Sequence, residues 1–390
     1  MPPNLVQERN APRTGIDKDH YLFAVCQHGV EATIKGDLLH KDSSLRLAFS
    51  RPGLLTFKVD CQDPVRSEQR AMSLNGGAGS GLADQIGLVE NHWAVRLAGI
   101  SLGNVRGELG EELASAVLEL EKNCDGIHVF QRDRSLPGER GFEPGPNELT
   151  EAVCEVLSKQ RELRGLPSLP MNCVAGAGDR VLDVVVVEPN HWLIGSHRVN
   201  STTSAWPGGV ISVGAPAEMI SRAYLKISEA LLWSQLPIEP GDRIVEIGSS
   251  PGGAAQRLLD LGLLVTGVDP AEMDSRLLQH PRFEHWRSKS SGIRRRNFAK
   301  FRWLAADANV APNYTLDAVE DIVNYRTSRF QGLLMTFKLS SYSLAQQLED
   351  QMQRIRSWGF ERVQMRQLAS NRRECCVVAC RPNRPPRRES

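Results

Sequence analysis

Four ionisable residues, Lys226, Asp307, Lys338 and Glu374, stand at the boundaries of expected elements, far apart along a chain of 390 residues. A lysine amine, once neutral, can take a proton from a weakly acidic hydroxyl while a neighbouring carboxylate orients it. The ordinary lysine pKa is ~10.4, so neutrality near pH 7 requires destabilising the charged form by about 4 kcal/mol, at ~1.4 per unit. Burial beside a second lysine could supply that shift. In this reading Lys338 is the base, Lys226 depresses its pKa, Asp307 orients its amine and Glu374 holds Lys226 or the substrate. Taken singly, each residue is an ordinary strand-end or amphipathic-helix side chain. The chemistry exists only if the fold gathers them.

The element that would gather them is the stretch from Arg243 to Gln256, followed by residues 263–269. It reads as a buried strand, a glycine-rich turn, a helix from about Gly253 and a second strand ending on Asp269. Gly248, Ser249, Ser250, Pro251, Gly252 and Gly253 form the turn, where missing Cβ atoms would let a cofactor approach the helix N-terminus. Asp269 lies at the spacing at which an acid commonly meets ribose hydroxyls. The spacing is not G-x-G-x-x-G, so a structural turn, a nicotinamide or flavin site and an S-adenosylmethionine site all remain open here.

Later strands end on Asp307 and on Lys338, at residues 301–306 and 332–337. A closing hairpin over residues 362–368 and 375–380 makes its second strand antiparallel, so Glu374 begins at the edge where the parallel strands finish. Lys226 belongs to a helix expected over 217–236. In an open α/β sheet ligands sit beyond those carboxyl ends. Two amines and two acids are therefore expected at one crevice beside the glycine turn.

Before this unit the pattern is α+β. A strand at 21–26, a helix at 30–39 and a hairpin around Arg51-Pro52-Gly53 make a first unit. A glycine-rich break at 75–81 leads to a second, with strands at 93–97 and 126–130, helices at 108–122 and from about 149, and a hairpin around Glu188-Pro189-Asn190. Residues 200–216, with Trp206-Pro207-Gly208-Gly209, read as a linker. His191 and His197 are expected to be solvated or satisfied within the fold.

The net charge of +1 conceals an asymmetry, because residues 1–216 carry 21 Lys and Arg against 27 Asp and Glu, and residues 217–390 carry 26 against 19. A basic run between 287 and 302, including Arg294, Arg295 and Arg296, is a candidate RNA contact or a solvated face. With no apolar leader and no run of 18 apolar residues, a cytoplasmic protein without a membrane partner is expected. The cysteines show no CxxC pair, and Cys375, Cys376 and Cys380 read as buried thiols, so no metal is expected.

Together, Ser221-Arg222-Ala223-Tyr224-Leu225-Lys226, the G-x-x-P-G-G turn, Asp307, Phe337-Lys338-Leu339 and Arg373-Glu374 resemble the K-D-K-E set of FtsJ-like RNA ribose 2′-O-methyltransferases. Trp206-Pro207-Gly208 and the two-part N-terminal region narrow the resemblance to RlmM-type enzymes acting on a cytidine of large-subunit ribosomal RNA. The resemblance implies a doubly wound, Rossmann-like α/β methyltransferase domain at 206–381 and a basic tail at 382–390. It places a ferredoxin-like unit at 1–80 and a THUMP-like RNA-recognition unit at 81–205. It also implies S-adenosylmethionine as cofactor, held by the 248–253 turn with Glu246, Asp269 and Asp307. Glu246 replaces the family's Asp, and residues 286–291 lack the acid that would hold the adenine amine. A noncatalytic RNA-binding or assembly protein that keeps the fold is the rival reading.

Overall fold

The computed structural model describes residues 20–60, 81–107, 110–120, 123–339 and 342–382. Its strands form two seven-stranded sheets. The first contains β1 (His20–Cys26), β2 (Leu45–Arg51), β3 (Leu54–Val59), β4 (Val95–Arg106), β5 (Gly126–Gln131), β6 (Arg180–Glu188) and β7 (His191–Arg198), in the order β2-β3-β1-β4-β7-β6-β5. Its pairs are antiparallel apart from β5 with β6.

Helices α1 (Glu31–Lys41) and α2 (Leu82–Glu90) cover the β1 half, burying Ile34, Leu38 and Val89. The β5 half is covered by α3 (Glu111–Leu120) and α4 (Glu148–Leu163), whose Val117, Val153 and Leu157 pack on Ile127, Val184 and Ile194. These helical residues recur three or four apart and so share one face. The sheet is continuous through both expected N-terminal units, because β1 pairs with β4 across position 80. Most of the glycine-rich break at 75–81 and the tail from 383 lie outside the described residues.

The second sheet begins with five parallel strands: β8 (Arg243–Ile247), β9 (Leu264–Val268), β10 (Phe283–Trp286), β11 (Trp303–Ala306) and β12 (Gly332–Lys338). The antiparallel hairpin β13 (Arg362–Arg366) and β14 (Glu374–Cys380) completes the order β10-β9-β8-β11-β12-β14-β13. On one face lie α5 (Ala223–Ser234) and α6 (Gly253–Asp260), burying Ile227, Ala255 and Leu258 against Ile244 and Val265. On the other lie α8 (Pro312–Val323) and α9 (Leu348–Ser357), with Val319, Ile322 and Ile355 against Leu304 and Leu333. A short α7 (Ser275–Leu278) follows β9. This is the doubly wound α/β architecture expected, and the strand order reverses between β8 and β11, where such folds open a crevice.

Several boundaries differ from expectation. Helix α5 starts at Ala223 rather than 217, because Ile220 and Ser221 are held against the start of α6: the Ile220 amide donates to Gln256 Oε1 at 3.0 Å. Strand β4 runs on to Arg106 through a register shift between Ser101 and Gly103. The 200–216 segment is not a free linker, since Pro207, Gly208 and Gly209 are buried and Gly208 lies against Phe130. No helix among the described residues is long and apolar enough to cross a membrane.

Candidate active site at the carboxyl edge of the second sheet

The four ionisable residues meet. Lys338 Nζ donates to Asp307 Oδ1 at 2.6 Å and to Glu374 Oε2 at 2.5 Å. Lys226 pairs with the other Glu374 oxygen and lies 3.9 Å from Asp307 Oδ2. Asp307 directly follows β11, while Lys338 and Glu374 are register partners at the end of β12 and the start of β14. Lys226, in the first turn of α5, comes from the helical layer. The lysines and Asp307 keep about a fifth of their side chains exposed, and Glu374 is nearly buried at 5%. A small recess of about 30 Å³ adjoins them and is lined by Lys226, Glu246, Asp307, Thr336, Asn371 and Cys376.

The electrostatics differ from the sequence expectation in one respect. Burial pushes the Lys338 amine down, but Asp307 and Glu374 outweigh it and hold the amine above the ordinary lysine range. Lys226 does not depress Lys338, because both amines turn toward Glu374 and its carboxylate compensates them. Burial raises the Glu374 carboxyl, yet the two lysines more than reverse this and hold it below the usual range. When all four are ionised, two positive and two negative charges cancel.

The glycine turn has a structural role whatever it binds. A Cβ on Gly253 would overlap the Ser221 hydroxyl and backbone, and one on Gly252, which has φ 118°, would overlap Leu277. Their small size therefore lets the Ser221 segment ahead of α5 and helix α7 close on the turn, independently of any ligand. The first turn of α6 still presents amides that have no carbonyl of their own helix to bond. Asp269 holds the turn from β9, accepting from the Ser250 amide at 3.2 Å and the Ala271 amide at 2.8 Å. Ser250 precedes a cis peptide to Pro251, and its hydroxyl donates to Glu272 O at 2.8 Å. Glu246, only 2% exposed, accepts from Ser249 Oγ at 2.6 Å. Burial, reinforced by the negative charges of Asp307 and Asp269, pushes its carboxyl up to about 8.

A second group of residues escaped the sequence reading: those that fix the loop carrying Glu374. Glu229 of α5 is buried and accepts from the Ala369 amide, the Ser370 amide and Ser370 Oγ at 2.8, 2.8 and 2.5 Å. Loops beside the first sheet grip the same segment. Gln27 donates to Asn371 O at 2.5 Å, the Gln367 amide donates to Trp93 O at 2.7 Å, and Arg372 Nε donates to Pro137 O at 2.9 Å. The available signal was Glu229 itself, an acid one helical turn beyond Lys226 and hence on the same side of α5.

The basic run is only partly free. Arg295 is engaged by Asp321 at 2.9 Å and by the carbonyls of Ser290 and Ile293, whereas Arg294 and Arg296 are exposed. Arg287 pairs with Glu272, Lys300 with Glu284 and Arg302 with Asp242. His191 contacts Asn104 at the surface. His197 is buried against Asp183; burial works against its charge, but that carboxylate and the Ser204 carbonyl hold its pKa above the ordinary range. Cys375, Cys376 and Cys380 are buried free thiols, as expected.

No protein-family model matches the chain. Curated relatives named "Ribosomal RNA large subunit methyltransferase M" do match. The protein of Laribacter hongkongensis is 28% identical over 194 residues, covering 47% of this chain and 54% of the relative. That of Hahella chejuensis is 27% identical over 235 residues, covering 57% and 56%. That of Halorhodospira halophila is 27% identical over 234 residues, covering 58% and 60%. The matches thus span a little over half the length of these relatives, and they bear out the resemblance read from the sequence. Among solved structures, TrmN from Thermus thermophilus aligns over 93% of this chain and 99% of its own, at 13% identity and a TM-score of 0.32. A fibrillarin/Nop5p complex aligns over 44% of this chain and 87% of its own, at 11% identity and a TM-score of 0.33.

Proposed function

We propose that the protein transfers a methyl group from S-adenosylmethionine to a ribose 2′-hydroxyl of RNA, with large-subunit ribosomal RNA as substrate and a cytidine as the target nucleotide. The observation that carries this reading is the paired set of Lys226, Asp307, Lys338 and Glu374 at the carboxyl edge of the second sheet, beside the reversal of strand order. The relatives' names support the substrate class.

The residues at the carboxyl edge suit such a cofactor. Glu246 is a buried carboxyl raised to about 8, and the charges that raise it are negative. A cationic group beside it, such as a methionine ammonium, would restore its ionisation. The turn from Gly248 to Gly253, with Asp269 behind it, presents the α6 amides to the rest of the ligand. Bound there, S-adenosylmethionine supplies a methyl group already activated by its sulfonium.

The chain's own task is then alignment and removal of one proton. Lys338 Nζ is the acceptor of the 2′-hydroxyl proton, for which it must first be neutral. Neutral Lys338 leaves the set at net −1, a balance suited to a singly positive ligand alongside. Asp307 and Glu374 fix the Lys338 amine in direction, and Lys226 keeps Glu374 compensated throughout.

Lys338→Ala should lower turnover by about 10²- to 10⁴-fold, the usual contribution of a positioned base. A radiolabelled-methyl assay on ribosomal RNA measures this, with S-adenosylmethionine affinity expected to stay within severalfold. Retained turnover removes Lys338 from the base role. The noncatalytic alternative draws on the missing acid at residues 286–291. Calorimetry on the folded full chain decides it, because no S-adenosylmethionine binding favours a protein that keeps only the fold.

A further inference from the structure

A second polar cluster lies in the first sheet, remote from the lysines. His128 on β5 and Asp183 on β6 are register partners, and His197 on β7 stands diagonally opposite on the same face. All three are buried, at 1%, 0% and 6% exposure. This face is the one away from α3 and α4. It is roofed instead by the segment around Cys173 and by the chain through Ser204 that leads to the second sheet.

The hydrogen bonds give the cluster a direction. His128 Nε2 bonds the Cys173 carbonyl at 2.9 Å and His197 Nε2 bonds the Ser204 carbonyl at 2.8 Å. A carbonyl can only accept, so both rings carry their proton on Nε2, and both Nδ1 atoms turn to the cluster's interior. There His197 Nδ1 meets Asp183 Oδ2 at 2.6 Å. His128 Nδ1 and Asp183 Oδ1 are buried and have no hydrogen-bond partner among the described residues. Both are acceptors, so neither can satisfy the other. Leaving two such buried acceptors unsatisfied is unfavourable.

The geometry points to a divalent transition-metal site, zinc by its ligand chemistry, held by His128 Nδ1, His197 Nδ1 and one oxygen of Asp183. Imidazole nitrogens with a carboxylate suit zinc. Histidine ligands whose other nitrogen donates to a backbone carbonyl are the usual outer-shell arrangement of such sites. Each of the three residues offers a ligand atom within 4.8 Å of those of the other two. Four-coordinate zinc with ~2.0–2.1 Å bonds sets ligands ~3.3 Å apart, so the widest pair closes by at most about 1.5 Å. A water or the second Asp183 oxygen takes the fourth position. Capture displaces one proton, that of His197 Nδ1, to solvent. The role is structural. The ion would fasten β5, β6 and β7 to the two roof segments, which are already joined by the Ala175 amide on Ala205 O at 2.9 Å.

The test is metal binding by the full-length chain after treatment with a chelator. Titration with zinc chloride should give one ion per chain with submicromolar affinity, release of a proton, and a higher melting temperature. Cobalt chloride should give the visible bands of a four-coordinate nitrogen and oxygen site, without thiolate charge transfer. His128→Asn and Asp183→Asn should each weaken binding by more than the about 10–100-fold typical of losing an outer-shell partner. Cys173→Ser should leave it unchanged. No tight binding by the wild-type chain overturns the site and leaves a buried imidazolium–carboxylate pair with a water. Thiolate bands, or unchanged affinity in both ligand variants, overturn it equally. Should the variants fail to fold, ¹⁵N-histidine spectra of the wild-type chain decide. Zinc must shift the Nδ1 signals of two histidines, and no shift refutes the assignment.

Discussion

In the first sheet Arg96 and Asp133 make a two-fold contact at 2.6 and 2.8 Å, with 3% and 0% of their side chains exposed. In the second, Lys226, Asp307 and Lys338 meet at strand ends and keep about a fifth of their surface. Both arrangements compensate charge, but they differ in what can reach it. Water and ligands are shut out of the Arg96–Asp133 pair, so its ionisation is tied to folding. The strand-end set borders a recess, so a ligand there can reach its charges. Charge within a sheet fastens structure, and charge at the carboxyl edge is available for chemistry.

Substitutions can break this contrast. Asp133→Ala leaves the Arg96 guanidinium buried without its partner and should destabilise the fold by about 3–5 kcal/mol in denaturant unfolding. A loss below about 1 kcal/mol would mean that water reaches the pair after all.

Glu246→Gln addresses the recess. A carboxyl at about 8 in the folded chain and ~4.3 when unfolded keeps its proton only in the folded state across that window. Wild-type stability should therefore fall as pH rises from about 4.3 toward 8, by up to ~1.4 kcal/mol per unit, and then level off. Glutamine can still accept from Ser249 and does not titrate, so the variant should lose this slope and gain on the wild type with rising pH. Parallel stability curves would show Glu246 to be ionised when folded.

Glu229→Ala removes three bonds to the 369–370 loop and should lower stability by about 1–3 kcal/mol. It should also slow turnover through displacement of Glu374, with Lys338 intact. Unchanged kcat would separate the loop from the chemistry. Least affected should be Arg287→Ala at the exposed Glu272 pair, within about 1 kcal/mol in a melting experiment.

The second sheet was largely legible because its signals are local. Each of β8, β9, β11 and β12 is a short apolar run with a polar residue at or near its end, and the parallel topology then forces those ends to one edge. The hairpin rule alone placed Glu374 beside Lys338. What local reading could not supply was mutual orientation. It set two lysines against each other, where the fold turns both to one acid. It left open whether Gly252 and Gly253 serve the fold or a ligand, and the closeness of Leu277 and Ser221 shows that the fold itself requires them. The cluster of His128, Asp183 and His197 was illegible for a related reason. Its members come from three strands with no metal-ligand spacing along the chain, and only strand register joins them.

The grip of Gln27, Trp93 and Pro137 on residues 367–372 has a practical corollary. The C-terminal half is not a transplantable cassette, because the floor beneath one of its four key side chains is furnished by strands and loops encoded two hundred or more positions earlier. Any displacement of the first sheet is felt directly at the acid that both amines share.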